Sequence, residues 1–132
     1  MPRSPITLAD EAIERLTPYT DAVALRRARI HTNAPWSWLP RLLRTGAVTL
    51  GRDICMRPEI FRTTDARGLA LIAHECTHVR QYHELGAARF MTRYLLGAVQ
   101  TRFVHDLHPL ELEPEAVQKR ARAELRRFFD VT

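Results

Sequence analysis

The chain has 132 residues, 45% of them hydrophobic and 27% charged, the balance of an ordinary globular domain. A single domain over residues 1–132 is expected, long enough to bury a core. The longest strictly apolar runs, such as Gly68 to Ala73, are far too short to span a bilayer, and two cysteines, Cys55 and Cys76, exclude a disulfide framework.

The net charge of +5 comes almost wholly from arginine, because Lys119 is the only lysine. Its clusters are short, at Arg26-Arg27-Ala28-Arg29 and Arg126-Arg127. They read as solvated faces rather than a dedicated nucleic-acid surface. Met1-Pro2-Arg3-Ser4-Pro5 has no apolar segment of a secretory signal. With so few cysteines, a reduced cytoplasmic setting is expected; if the protein leaves the cell, a dedicated machine carries it or the chain is a fragment of something larger.

In chain order, Thr7 to Leu16 reads as a short helix, N-capped by Thr7 and stopped by Pro18, with Ile13 and Leu16 on one face. Val23 to His31 hints at a strand interrupted by arginines. Asn33 to Pro40 is turn-rich, and Trp36 and Trp38 are expected to cap the edge of the core. Ala47 to Met56 reads as one or two strands with Val48, Leu50, Ile54 and Met56 on one side, and Gly51 as a bulge or bend. After Pro58, a helix capped by Thr64 or Asp65 should run to Leu85, with Gly86 at its C-cap.

Ala87 to Arg102 predicts a second helix, with Phe90, Tyr94 and Leu95 on one face. A third, from Leu110 or Pro114 to Phe129, aligns Leu110, Val117, Ala121, Leu125 and Phe128. The class is α+β: mostly helical, with a small sheet before the central helix and two helices after it.

That central helix carries His74-Glu75-Cys76-Thr77-His78, an H-E-x-x-H pattern. Residues four apart lie about 40° from each other around a helix, so both imidazoles reach one metal ion. Glu75 lies about 60° from His78 in projection, placing its carboxylate beside the ion as a general base without binding it. Two histidines suit Zn²⁺, one per chain, with Co²⁺ or Ni²⁺ as replacements. The preceding turns, Leu69 to Ala73, are apolar nearly all round, so the helix is expected to be buried and its polar groups to need partners. Cys76 lies about 200° from His74 and cannot share its metal. It reads as a small core residue, as does Cys55.

A catalytic zinc site normally has three protein ligands. Gln81 and Glu84 stand where a metzincin would need Gly and His, which excludes that class. Glu111, Glu113 and Glu115 are the later candidates, and at least one of them should serve only the dipole of its helix. Gln81 reads as a partner of the ligands or as a packing residue, while Tyr82, Tyr94, His105 and His108 are candidate transition-state donors.

The runs Thr49-Leu50-Gly51-Arg52-Asp53-Ile54 and Leu71-Ile72-Ala73-His74-Glu75-Cys76-Thr77-His78-Val79-Arg80-Gln81 resemble a family of small bacterial zincin domains. That family is associated with extracellular contractile injection systems and polymorphic toxins. Arg29-Ile30-His31-Thr32 resembles the strand that precedes them, and the likeness covers about residues 20 to 85. The resemblance implies a minimal zincin-like, gluzincin-type domain. In related gluzincins the third ligand is the first glutamate of an E-x-E-A element. Glu111-Leu112-Glu113-Pro114 puts proline in place of that alanine, whereas Glu113-Pro114-Glu115-Ala116 keeps it. Glu111 is favoured because Glu115 follows four positions on, with Glu113 as the alternative.

The expected function is zinc-dependent hydrolysis of a peptide or protein substrate, with Glu75 as base and His74, His78 and Glu111 as ligands. The alternative is a zinc-bound, non-catalytic domain serving the assembly or cargo of a secretion or toxin system. A basic nucleic-acid-binding domain ranks third, and no membrane partner is expected.

Overall fold

The structure is a computed structural model that describes residues 5–102 and 108–130. Among these the fold is α+β, mostly helical, with one three-stranded sheet. Helix α1 (Asp10–Leu16) begins later than Thr7, and Ala9 occupies its N-cap without a side-chain bond. The delay has a local cause: Ile6 exchanges two backbone hydrogen bonds with Ile30, each 2.8 Å, which keeps the preceding chain extended.

The ambiguous Val23–His31 stretch divides into a helix and a strand. Asp21 caps α2 (Ala22–Arg27) by accepting the Ala24 N–H at 2.9 Å, and β1 (Arg29–His31) follows. Ala24, Leu25, Ala28 and Ile30 are buried, so the arginines interrupt nothing and simply face outward. The turn-rich segment holds a short helix, α3 (Trp38–Leu42), and its tryptophans do not cap the core. Trp36 and Trp38 are 43% and 64% exposed, while Ser37 and Pro40 are buried in their place. Trp36 instead stacks on the His31 ring at 4.3 Å.

Strands β2 (Ala47–Leu50) and β3 (Asp53–Met56) form an antiparallel hairpin, and β1 pairs with β3 in parallel, giving the order β1-β3-β2. The expected facing of β2 is overturned. Leu50 pairs with Asp53 across a two-residue turn, Gly51-Arg52, with Gly51 at φ +69°. That pairing sets Ala47 with Met56 and Thr49 with Ile54. Ala47 and Thr49 therefore turn inward, and Val48 and Leu50 face away. Gly51 is a hairpin turn rather than a bulge within one strand.

Asp53 ties the two parallel strands together. Its Oδ1 accepts from Arg29 Nε at 3.1 Å and lies 2.8 Å from His31 Nε2. Partial burial works against its ionisation, but the bonds from His31 and Arg29 outweigh that and hold its pKa below the ordinary 3.8. A lowered carboxylate pKa contributes stability above the unfolded value and loses it as pH falls through the folded one. Asp53→Asn is expected to cost about 1 kcal/mol at neutral pH, limited by the solvent around Arg29. Urea unfolding should show that cost shrink as pH falls below the ordinary carboxylate value of 3.8 and vanish once pH has passed through the lowered folded pKa.

Helix α4 (Ala66–Leu85) runs through the middle of the molecule, with Asp65 accepting the Gly68 N–H at 2.7 Å and Gly86 at φ +80° ending it. Leu69, Ala70, Ile72, Ala73, Cys76 and Val79 bury against the sheet and the outer helices. Gly68 is where the incoming chain crosses the helix: a Cβ there would lie 2.2 Å from the Arg62 carbonyl oxygen. Gly→Ala in an exposed helix normally stabilises by ~1 kcal/mol. Gly68→Ala is instead expected to destabilise by ~2–3 kcal/mol, read from the midpoint of chemical unfolding, because a backbone must move.

Helices α5 (Ala87–Gln100) and α6 (Pro109–Asp130) complete the fold, and α6 packs chiefly along α4. The buried stripe of α6 is Glu111, Pro114, Ala121 and Leu125, with Gln118 half-buried among them. Leu110 is only half-buried and Phe128 is 52% exposed, so the face predicted from apolar residues is rotated. The cause is that α6 meets α4 at its polar middle, where its own polar residues are required.

Candidate metal centre

His74 and His78 project from the same face of α4 and meet Glu111, three residues into α6. Their side-chain ligand atoms all lie within 4.8 Å of one another, and the three residues are 5%, 6% and 3% exposed. His74 Nε2 stands 3.2 Å and His78 Nε2 2.8 Å from the same oxygen, Glu111 Oε1. The other two carboxylates lie elsewhere. Glu113 forms a two-pronged ion pair with Arg80, whose guanidinium holds the Glu113 carboxyl below its usual range. Glu115 approaches the outer nitrogen of His74, Nδ1, at 3.8 Å.

The outer nitrogens define the proton positions. Gln81 Nε2 donates to the Leu110 carbonyl at 3.0 Å, so Gln81 Oε1 faces His78 Nδ1 at 2.9 Å. A carbonyl oxygen only accepts, so Nδ1 carries the proton and Nε2 turns a lone pair toward Glu111. Gln118 Oε1 does the same for His74 Nδ1 at 2.7 Å. Two imidazole lone pairs converging on a carboxylate repel one another unless a cation or a proton lies among them. The donor set therefore fits a divalent metal ion, with the outer hydrogen bonds that such ligands need. Burial alone would lower the pKa of His74, but the Glu111 bond and the charges of Glu75, Glu111 and Glu115 raise it above the ordinary value.

Pro114 has a part in this arrangement. A residue with an N–H at that position would bond the Leu110 carbonyl four residues back. Proline leaves that carbonyl free, and Gln81 occupies it. The proline that departs from the E-x-E-A pattern thus leaves open the acceptor that orients the partner of His78.

Glu75 is 5% exposed, and the Thr49 hydroxyl donates to its Oε2 at 2.6 Å. The inward turn of Thr49, set by the hairpin register, places that donor. Tyr94 donates to Glu111 Oε2 at 2.9 Å; burial and the neighbouring Glu111 charge push its pKa well above the usual tyrosine range. Tyr82 donates to Met91 Sδ at 3.4 Å, and His105 lies outside the described residues. His108 bonds the Tyr94 carbonyl through Nε2 at 2.6 Å and accepts the Leu110 N–H through Nδ1 at 3.0 Å. Both cysteines are buried: Cys55 has its thiol pKa pushed up to about 11 and Cys76 higher still, so neither is a thiolate at neutral pH.

Sequence reasoning missed Gln118 and Thr49. Gln118 lies seven residues, close to two turns, after Glu111, and Thr49 is the polar residue on the inward face of β2. Either signal could have found them once the helix phase and strand parity were known.

Fold and site together define a small α+β domain with a buried His-His-Glu group able to hold a metal ion. Residues 7–86 match the family model of the eCIS core domain, and the chain belongs to that family, which links it to extracellular contractile injection systems. The match takes in both histidines and Glu75, while Glu111 and Gln118 come from the chain beyond it. No curated protein and no solved structure gives a significant match. Among the described residues no helix is long and apolar enough to cross a membrane.

Proposed function

We propose that this domain is a gluzincin-type zinc peptidase working in the context of a contractile injection system. The observation that carries this reading is the convergence of His74, His78 and Glu111, with Glu75 held one residue from His74 by Thr49. Zn²⁺ held by these residues would act as a Lewis acid and lower the pKa of a water toward neutrality. Glu75 takes the proton of the attacking water and passes it to the leaving amine. Thr49 occupies Oε2, which leaves Oε1 for that transfer. Strand β2 is an edge of the sheet beside Glu75, where an extended peptide can pair along the backbone.

A second reading has its own support. The ligands and Glu75 are all at most 6% exposed, which suits an ion that serves architecture in an assembly or cargo domain. One experiment separates the two. Protein purified without chelator is assayed for metal by mass spectrometry, then for cleavage of a peptide library before and after zinc removal. One zinc per chain with zinc-dependent cleavage supports the peptidase. Zinc without cleavage favours the assembly domain, and no metal in folded protein rejects both.

A further inference from the structure

We propose that Tyr94 is a positioning residue that determines which oxygen of Glu111 is offered to the metal. The inference rests on the metal-centre reading and concerns how this chain shapes that centre. Both Nε2 atoms face Glu111 Oε1, while Oε2 accepts the Tyr94 hydroxyl. A carboxylate free to turn presents two oxygens to a cation; this one presents Oε1 alone.

The position of Tyr94 relative to Glu111 is itself built. The His108 ring stacks on the Tyr94 ring at 4.1 Å and bonds its carbonyl. The same ring accepts the Leu110 N–H, which caps the first turn of α6 one residue before Glu111. His108 fits there because residue 97 has no side chain: a Cβ on Gly97 would lie 2.8 Å from His108 Cε1 and 2.9 Å from Nε2. Gly97 admits His108, His108 joins α5 to the start of α6, and Tyr94 and Glu111 are held within one hydrogen bond. The junction acts on the orientation of a ligand and needs no contact with substrate.

The test is titration of Co²⁺ into the chelator-stripped full chain, followed by visible absorption and by competition with a chelating dye. The wild type is expected to bind one Co²⁺ with the intense bands of a low-coordinate site. Tyr94→Phe, which keeps the ring, is expected to bind ~10–100-fold more weakly, as for other outer partners of metal ligands. Its bands should also change in intensity as the carboxylate loses the Tyr94 bond that orients Oε2. Gly97→Ala, acting through His108, should shift both readouts in the same direction. Tyr82→Phe, whose hydroxyl meets Met91, should match the wild type. Circular dichroism of the ion-free variants separates these changes from loss of fold. Tyr94→Phe with wild-type affinity and spectrum overturns the positioning role and leaves the centre standing. A wild type that takes up no Co²⁺ overturns the centre, and the positioning role with it.

Discussion

Glu75→Gln is expected to bind zinc as the wild type does and to lose peptide hydrolysis by ~10²–10⁴-fold, the usual contribution of a positioned general base. Glutamine has nearly the same volume, and its amide oxygen can still accept the Thr49 hydroxyl that now bonds Oε2 at 2.6 Å. Glu75 also lies among the residues whose charge raises the pKa of His74, so the substitution makes that ring slightly harder to protonate and removes no ligand. The measurement is single-turnover cleavage with metal content determined on the same sample. Loss of cleavage at unchanged zinc assigns the proton transfer to this carboxylate. Unchanged cleavage would move the base elsewhere.

The second large effect belongs to the ligands. His78→Ala is expected to reduce zinc from one per chain to background in protein purified without chelator. Structural zinc sites bind with about 10–16 kcal/mol, so one of three protein ligands accounts for several kcal/mol, or ~10³-fold or more. The truncation also leaves the Gln81 carbonyl without the ring it now faces, and removes one of the two imidazoles beside a Glu111 that is 3% exposed. A loss of folding stability should accompany the loss of metal, since the truncation leaves a cavity and takes a polar contact from a buried carboxylate. Retention of full zinc occupancy by a folded His78→Ala protein would remove this residue from the centre.

The parts of the fold that were legible were those whose signals are local. Asp65 and Gly86 bound α4, the apolar run Leu69 to Ala73 announced its burial, and the spacing of His74 and His78 placed both rings on one face. The sheet before that helix and the two helices after it were also readable from pattern.

What escaped depends on pairing across the chain. The facing of Val48 and Leu50 turns on the parity of a two-residue turn, which alternation within one strand does not reveal. The expected apolar face of α6 holds at Ala121 and Leu125 but not at its start, where the helix presents Glu111 and Gln118 to the imidazoles of α4. Glu111 and Glu113 could be separated only by what each meets, which for Glu113 is Arg80. Pro114 looked like a defect in the pattern, because the absence of an N–H has meaning only beside the Gln81 that uses the freed carbonyl.

Both imidazoles are carried by α4 and the carboxylate by α6, so the centre exists only while those two helices are in register. An ion gripped there acts as a clasp across the seam, and its grip resists the seam's opening. The histidines and their glutamate neighbour lie within the family segment, while the last half of the clasp is supplied by a helix outside it. For this chain, docking of α6 and assembly of the centre are one event.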